Sequence, residues 1–152
     1  MKDREITLEE LIAKWINPTA SIVYRMDILP KFPVKGKYVS GDWQLTLHCA
    51  VSGKVWGMKD VMSFYRMTFH SNSIQSLYGG KASKMVSQKI TILESLDEYT
   101  CGKYHKLLQK FICYFRHEAH FLEVKERRGN LIAYLATPKY FIQKIKGKLK
   151  DV

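Results

Sequence analysis

The chain lacks most of what would announce a catalyst or a membrane span. No apolar run approaches the ~20 residues that a membrane helix needs, so any bilayer contact is expected to be peripheral. Cysteine is scarce: Cys49, Cys101 and Cys113 are odd in number and have no Cys-x-x-Cys spacing. No secretory leader pattern opens the sequence, so free thiols in a reducing compartment are expected. There is no Gly-x-Ser-x-Gly elbow, and the fourteen carboxylates are too scattered to nominate an acid–base pair. Gly79-Gly80-Lys81-Ala82-Ser83 departs from a nucleotide phosphate loop, in which the Lys is followed directly by Ser or Thr. It reads instead as a helix stop, with Lys81 near the negative end of the helix dipole. His117-Glu118-Ala119-His120 brings its second His one residue too early for the zinc-protease spacing. Cys113 and His117, four apart, can offer two ligands on a helix; His105 or Cys101 would have to complete a zinc set. A polar loop is the plainer reading. No catalytic residue, cofactor or metal is therefore expected, and the one enzymatic reading left would use His117 and His120.

What is present is positive charge on a chain able to fold. At 152 residues, 46% hydrophobic and 12% aromatic, the sequence suits one packed domain over 1–152 and not a disordered tail. Twenty-five Lys and Arg face fourteen Asp and Glu, a net charge of +11. Such an excess repels itself and points to a polyanionic partner: nucleic acid, an anionic membrane or an acidic protein. It is placed unevenly. Residues 1–15 carry more acid than base, whereas 28–93 hold nine basic residues against Asp42 and Asp60 alone. Residues 139–152 form a basic C-terminal segment, five lysines against Asp151.

Periodicity suggests an α+β architecture in which an antiparallel sheet packs against two or three helices. An N-terminal helix is expected within 1–17, opened by a Thr7/Glu10 capping box, striped by Leu8, Leu11, Ile12 and Trp15 and closed by Asn17-Pro18. Ile22, Tyr24, Met26 and Ile28 alternate as a strand would. Trp43, Leu45, Leu47, Cys49 and Val51 do so more clearly, with a turn at Ser52-Gly53-Lys54. Met58 to Tyr78 and Lys84 to Leu96 read as helices, although Ile90-Thr91-Ile92 favours a strand. Tyr104 to Phe115 fits either period. Leu122 to Leu135, interrupted by Arg127-Arg128-Gly129-Asn130, suggests a β-hairpin.

The candidate contacts to an anionic membrane or nucleic acid are Lys81, Lys84 and Lys89, together with Lys139, Lys144, Lys146, Lys148 and Lys150 of the C-terminal segment. Near anionic lipid each lysine contributes about 1 kcal/mol. On RNA the same lysines would meet phosphates while Tyr140 or Phe141 stacks on bases. A sheet edge guarded by lysines is the plain alternative for the C-terminal segment. Lysine's predominance over arginine suits diffuse attraction better than bidentate base readout.

The order of these elements resembles the globular domain of rhabdovirus matrix proteins over about residues 43–137. Trp43-Gln44-Leu45-Thr46-Leu47-His48-Cys49 is similar to that family's leading strand, followed by the long helix from Met58. Ser76-Leu77-Tyr78-Gly79-Gly80-Lys81 then resembles the helix end and basic step, and Met85 to Leu96 the next helix. Pro18-Thr19-Ala20-Ser21 lacks the final proline of the family's budding motif. The resemblance implies a viral matrix function: self-association, and bridging of the nucleocapsid or its RNA to the inner face of an anionic membrane. It places the protein in the virion, at the inner face of membranes, and in the host cytoplasm or nucleus. Self-association would use the extended apolar loop of Leu29, Pro30, Phe32 and Pro33. A nucleic-acid-binding regulator of a phage or mobile element is the alternative.

Overall fold

Six regular elements are visible in a computed structural model of the chain, which describes residues 3–14, 21–27, 41–58, 60, 82–129 and 135–137. They are β1 (Arg4–Ile6), α1 (Leu8–Ala13), α2 (Gly41–Ser52), β2 (Val55–Gly57), α3 (Ala82–Tyr99) and α4 (His105–Arg128). The class is α+β, as expected. Among the described residues the helices number four, and the antiparallel sheet has two short strands. The chain divides into two compact units, Met1–Ser71 and Asn72–Val152.

In the first unit the expected N-terminal helix is shorter than 1–17 and begins after a strand. Thr7 caps it: its Oγ1 accepts the Glu10 N–H at 3.2 Å, while the Glu10 carboxylate accepts the Thr7 N–H at 3.0 Å. Arg4 on β1 donates both guanidinium branches to the same carboxylate, at 2.8 and 2.9 Å. That fork, joined by the Thr7 N–H, holds the Glu10 carboxyl down at about 2. Strand β1 pairs antiparallel with β2, in the register Arg4 to Gly57 and Ile6 to Val55. Ile6, Leu11 and Ile12 are buried on this side. Residues 22–25, expected as a strand, run without regular secondary structure.

The strand expected over Trp43–Val51 is helix α2. Its buried residues are Trp43, Gln44, Leu47, His48 and Cys49, a helical set of i, i+1, i+4, i+5 and i+6. Gln44 and His48 are polar residues at core positions, so hydropathy along the sequence alternated with period two while burial follows the helix. Helix α2 is tied to α1 by the Trp43 indole, whose Nε1–H donates to the Leu11 carbonyl at 3.0 Å.

Residues 82–129 of the second unit form an antiparallel helical hairpin. The helix expected over Lys84–Leu96 is present as α3. The ambiguous stretch Tyr104–Phe115 is helical, and α4 continues to Arg128 through the first half of the expected β-hairpin. The Arg-Arg-Gly sequence that suggested a turn is a helix end. Gly129 sits at φ +85°, outside the reach of most L side chains, and donates its N–H to the Lys125 carbonyl. Lys125, Arg127 and Arg128 occupy the last turn, where cations complement the helix dipole. The core of the hairpin is Val86, Ile92, Leu93 and Leu96 against Leu108, Ile112 and Phe115, with Ile92, Leu93, Leu96, Leu108 and Ile112 fully enclosed. Polar pairs between the helices run in reverse order, Ser83 with Glu126, Glu94 with Arg116 and Asp97 with His105, which fixes the antiparallel sense. The link reverses direction through Cys101 and Gly102, both left-handed, and the Gly102 N–H returns to the Asp97 carbonyl at 3.0 Å.

Candidate anion-binding surface

The segment from Lys103 to His117 contains Lys103, Lys106, Lys110 and Arg116 and not one carboxylate. Helical spacing sets Lys106, Lys110, Cys113 and His117 along one stripe of α4, at i, i+4, i+7 and i+11. The core residues Leu108, Ile112 and Phe115 occupy a different stripe. Lys103, Lys106 and Lys110 are all exposed. Lys103 and Lys106 have no ion pair among the described residues, and the Lys103 ammonium lies 5.4 Å from the centre of the Tyr104 ring. The Lys110 ammonium lies 5.5 Å over Phe111, a contact that leaves its charge at the surface. His105 stands between these lysines with Nδ1 2.6 Å from Asp97 Oδ2. This carboxylate is largely covered and orients the imidazole.

A second basic region lies at the other end of the hairpin. Between the start of α3 and the end of α4 runs a groove of about 520 Å³, lined by Ser83, Lys84, Ser87, Arg116, His120 and Arg127 among others. Its carboxylates are already engaged. Glu126 accepts the Ser83 N–H at 3.0 Å and the Ser83 hydroxyl at 2.7 Å, so α4 supplies the N-terminal cap of α3. Glu123 pairs with Arg127 one turn along. Lys84 is exposed in this groove and has no ion pair among the described residues.

The residues expected at the site separate accordingly. Lys84 is available to a ligand. Lys89 is half-buried, with its ammonium 5.1 Å over the Phe115 ring of the facing helix, so it serves the packing of the hairpin first. Lys81, Lys139, Lys144, Lys146, Lys148 and Lys150 lie outside the described residues, as do Leu29, Pro30, Phe32 and Pro33. Lys103, Lys106 and Lys110 were missed by the sequence reading. The signal that would have found them is the absence of acid over fifteen residues once that stretch is read as helix. Among the described residues no three His, Cys, Asp or Glu side chains gather as a metal would require. None of the described helices is long and apolar enough to cross a membrane.

Comparison with family models, curated proteins and solved structures found no match to this chain. The segment that stood for the leading strand of the matrix fold, Trp43–Cys49, is helical.

Proposed function

We propose that the protein is a non-catalytic structural adaptor of the matrix type, which holds an anionic membrane surface on its basic α3–α4 hairpin. The observation that carries this reading is the exposed, acid-free run of Lys103, Lys106 and Lys110 leading into α4. Lysine heads on flexible stems suit a fluid headgroup layer, which presents no fixed geometry, better than they suit bidentate recognition of bases. A helix of 24 residues is about 36 Å long. That length lets Lys106 near one end and Arg128 near the other meet several headgroups at once. The lysines of the C-terminal segment and Lys81 extend the same attraction in this proposal. Nucleocapsid or RNA on another face, and further copies of the chain joined through the Leu29–Pro33 loop, complete the bridging role.

Cosedimentation with vesicles tests it. The full chain should pellet with phosphatidylserine-containing vesicles, remain in solution with pure phosphatidylcholine, and lose its lipid as salt shortens the Debye length from ~10 Å at 0.1 M to ~3 Å at 1 M. Tight, salt-sensitive binding of RNA with no affinity for anionic vesicles would replace this reading with that of a nucleic-acid-binding regulator.

A further inference from the structure

The first unit contains a different kind of surface. Val23, Trp56 and Met58 are 86%, 59% and 51% exposed, and all three line a single cleft of about 260 Å³. Isolated apolar side chains at a surface are ordinary, but several gathered around one concavity mark a binding face. We infer that this cleft docks a short acidic peptide segment through an apolar anchor side chain.

Its walls are held in place without a ligand. Trp43, on the cleft wall, is fixed by its indole bond to the Leu11 carbonyl. Across from it, the Tyr24 hydroxyl lies 2.9 Å from Thr46 Oγ1, which in turn donates to the Asp42 carbonyl at 2.8 Å. Burial raises the Tyr24 phenol above its ordinary pKa, so it stays protonated and keeps that chain of bonds intact. A partner thus meets a preformed apolar slot and need not order it.

The rim selects the charge of the partner. Among the described residues, Lys14, Arg25 and Lys54 line the cleft against a single carboxylate, that of Asp42. Asp42 Oδ1 already accepts the Trp43 N–H at 2.8 Å. All three have partners of their own; those of Arg25 and Lys54 are Asp27 and Glu5, and both pairs are exposed and of the kind that exchange readily for a better-placed carboxylate.

Size and edge select a peptide over a lipid tail. The volume falls below the ~300–1,000 Å³ usual for small-molecule pockets and suits one or two side chains. Strand β2 contributes Val55 and Trp56 to the lining. Its only strand partner among the described residues is β1, so its second edge can accept an extended backbone. A fatty chain would use neither that edge nor the rim charges along its length.

The test uses the full chain and two fluorescein-labelled peptides of equal charge, Glu-Asp-Glu-Leu-Phe-Glu-Asp-Glu and its counterpart with Ser-Ser at the centre. Anisotropy is read at about 0.15 M salt, where diffuse attraction to the basic hairpin is screened. The Leu-Phe peptide should bind at least about tenfold more tightly, since a buried anchor dominates such contacts. Val23→Glu and Met58→Glu, both at exposed positions, should erase that difference while circular dichroism stays unchanged. Joint substitution of Lys103, Lys106 and Lys110 by Ala should leave it in place, which separates this site from the membrane reading. Equal binding of the two peptides would overturn the inference. So would a preference for Leu-Phe that survives Val23→Glu and Met58→Glu. Saturable binding of sodium dodecanoate in the cleft, with no advantage for Leu-Phe, would assign it to a fatty chain and overturn the peptide as well.

Discussion

Helices α1 and α3 both begin with a carboxylate seated on a backbone N–H, yet they obtain it from opposite ends of the range of sequence separation. Helix α1 takes it from Glu10, three residues beyond its Thr7 cap. Helix α3 takes it from Glu126, 43 residues away on the facing helix. The first device is local and forms as soon as the turn forms. The second exists only when the hairpin is closed, so it ties the start of α3 to tertiary packing. The outer surfaces of the two units differ as well. The described part of the first unit exposes apolar side chains around a cleft, whereas the hairpin of the second keeps its apolar residues inside and exposes lysine.

Substituting the cores is the severest way to probe this contrast. Leu47→Ala in α2 and Leu108→Ala in α4, both at fully buried positions, should each cost about 2–5 kcal/mol in urea unfolding. A much smaller loss at Leu47 would mean that the core of the first unit is looser than its burial implies.

Acid should distinguish the units next. Burial of His48 pushes its imidazole below the ordinary value, with its bond to the Gln44 carbonyl opposing the shift only in part. The unfolded chain therefore takes up this proton first. The contribution of His48 is fully present above about pH 6.5, declines as the pH falls below that, and stops declining once the pH is under the depressed folded value. Its slope is at most about 1.4 kcal/mol per pH unit. Hydrogen exchange at pH 7 and pH 5 should show α2 losing protection in this window, and His48→Asn should flatten the loss. Equal acid loss in α2 and α4 would erase the distinction.

The caps give a smaller effect. Thr7→Ala and Glu126→Ala should each destabilise by about 1 kcal/mol. Amide exchange should place the first loss within α1 and spread the second over both α3 and α4. Smallest is Cys101, held at φ +50° in the hairpin link. Cys101→Gly should stabilise by up to about 1 kcal/mol, because glycine adopts this conformation without strain. Thermal unfolding would reveal it as a rise in Tm.

These elements also show what the sequence discloses. The Thr7/Glu10 box was legible because the whole device spans four residues. Helix α3 was legible because Met85, Ile92 and Leu96 keep the helical period, and Ile92 and Leu96 are in its buried face. Helix α2 was not, because Gln44 and His48 occupy buried helical positions and disguise that period as alternation. The end of α4 was misread for a related reason: a cationic last turn followed by glycine has the composition of a hairpin turn and the physics of a helix terminus. Of the lysines expected at the site, Lys84 is exposed in the α3–α4 groove and Lys89 is turned onto Phe115. Lys103, Lys106 and Lys110 were overlooked because the stretch that carries them fits strand and helix periods equally well. The apolar cleft could not be read at all, since Leu11, Val23, Trp43 and Trp56 meet only after the chain has folded.

The central claim is that the exposed lysines entering α4 hold an anionic surface. Its most direct test is vesicle affinity after replacing Lys103, Lys106 and Lys110 together by Ala. At about 1 kcal/mol for each lysine, binding to phosphatidylserine vesicles should weaken about 100-fold, while surface positions such as these leave stability within about 0.5 kcal/mol. Wild-type vesicle affinity in that variant would contradict the account.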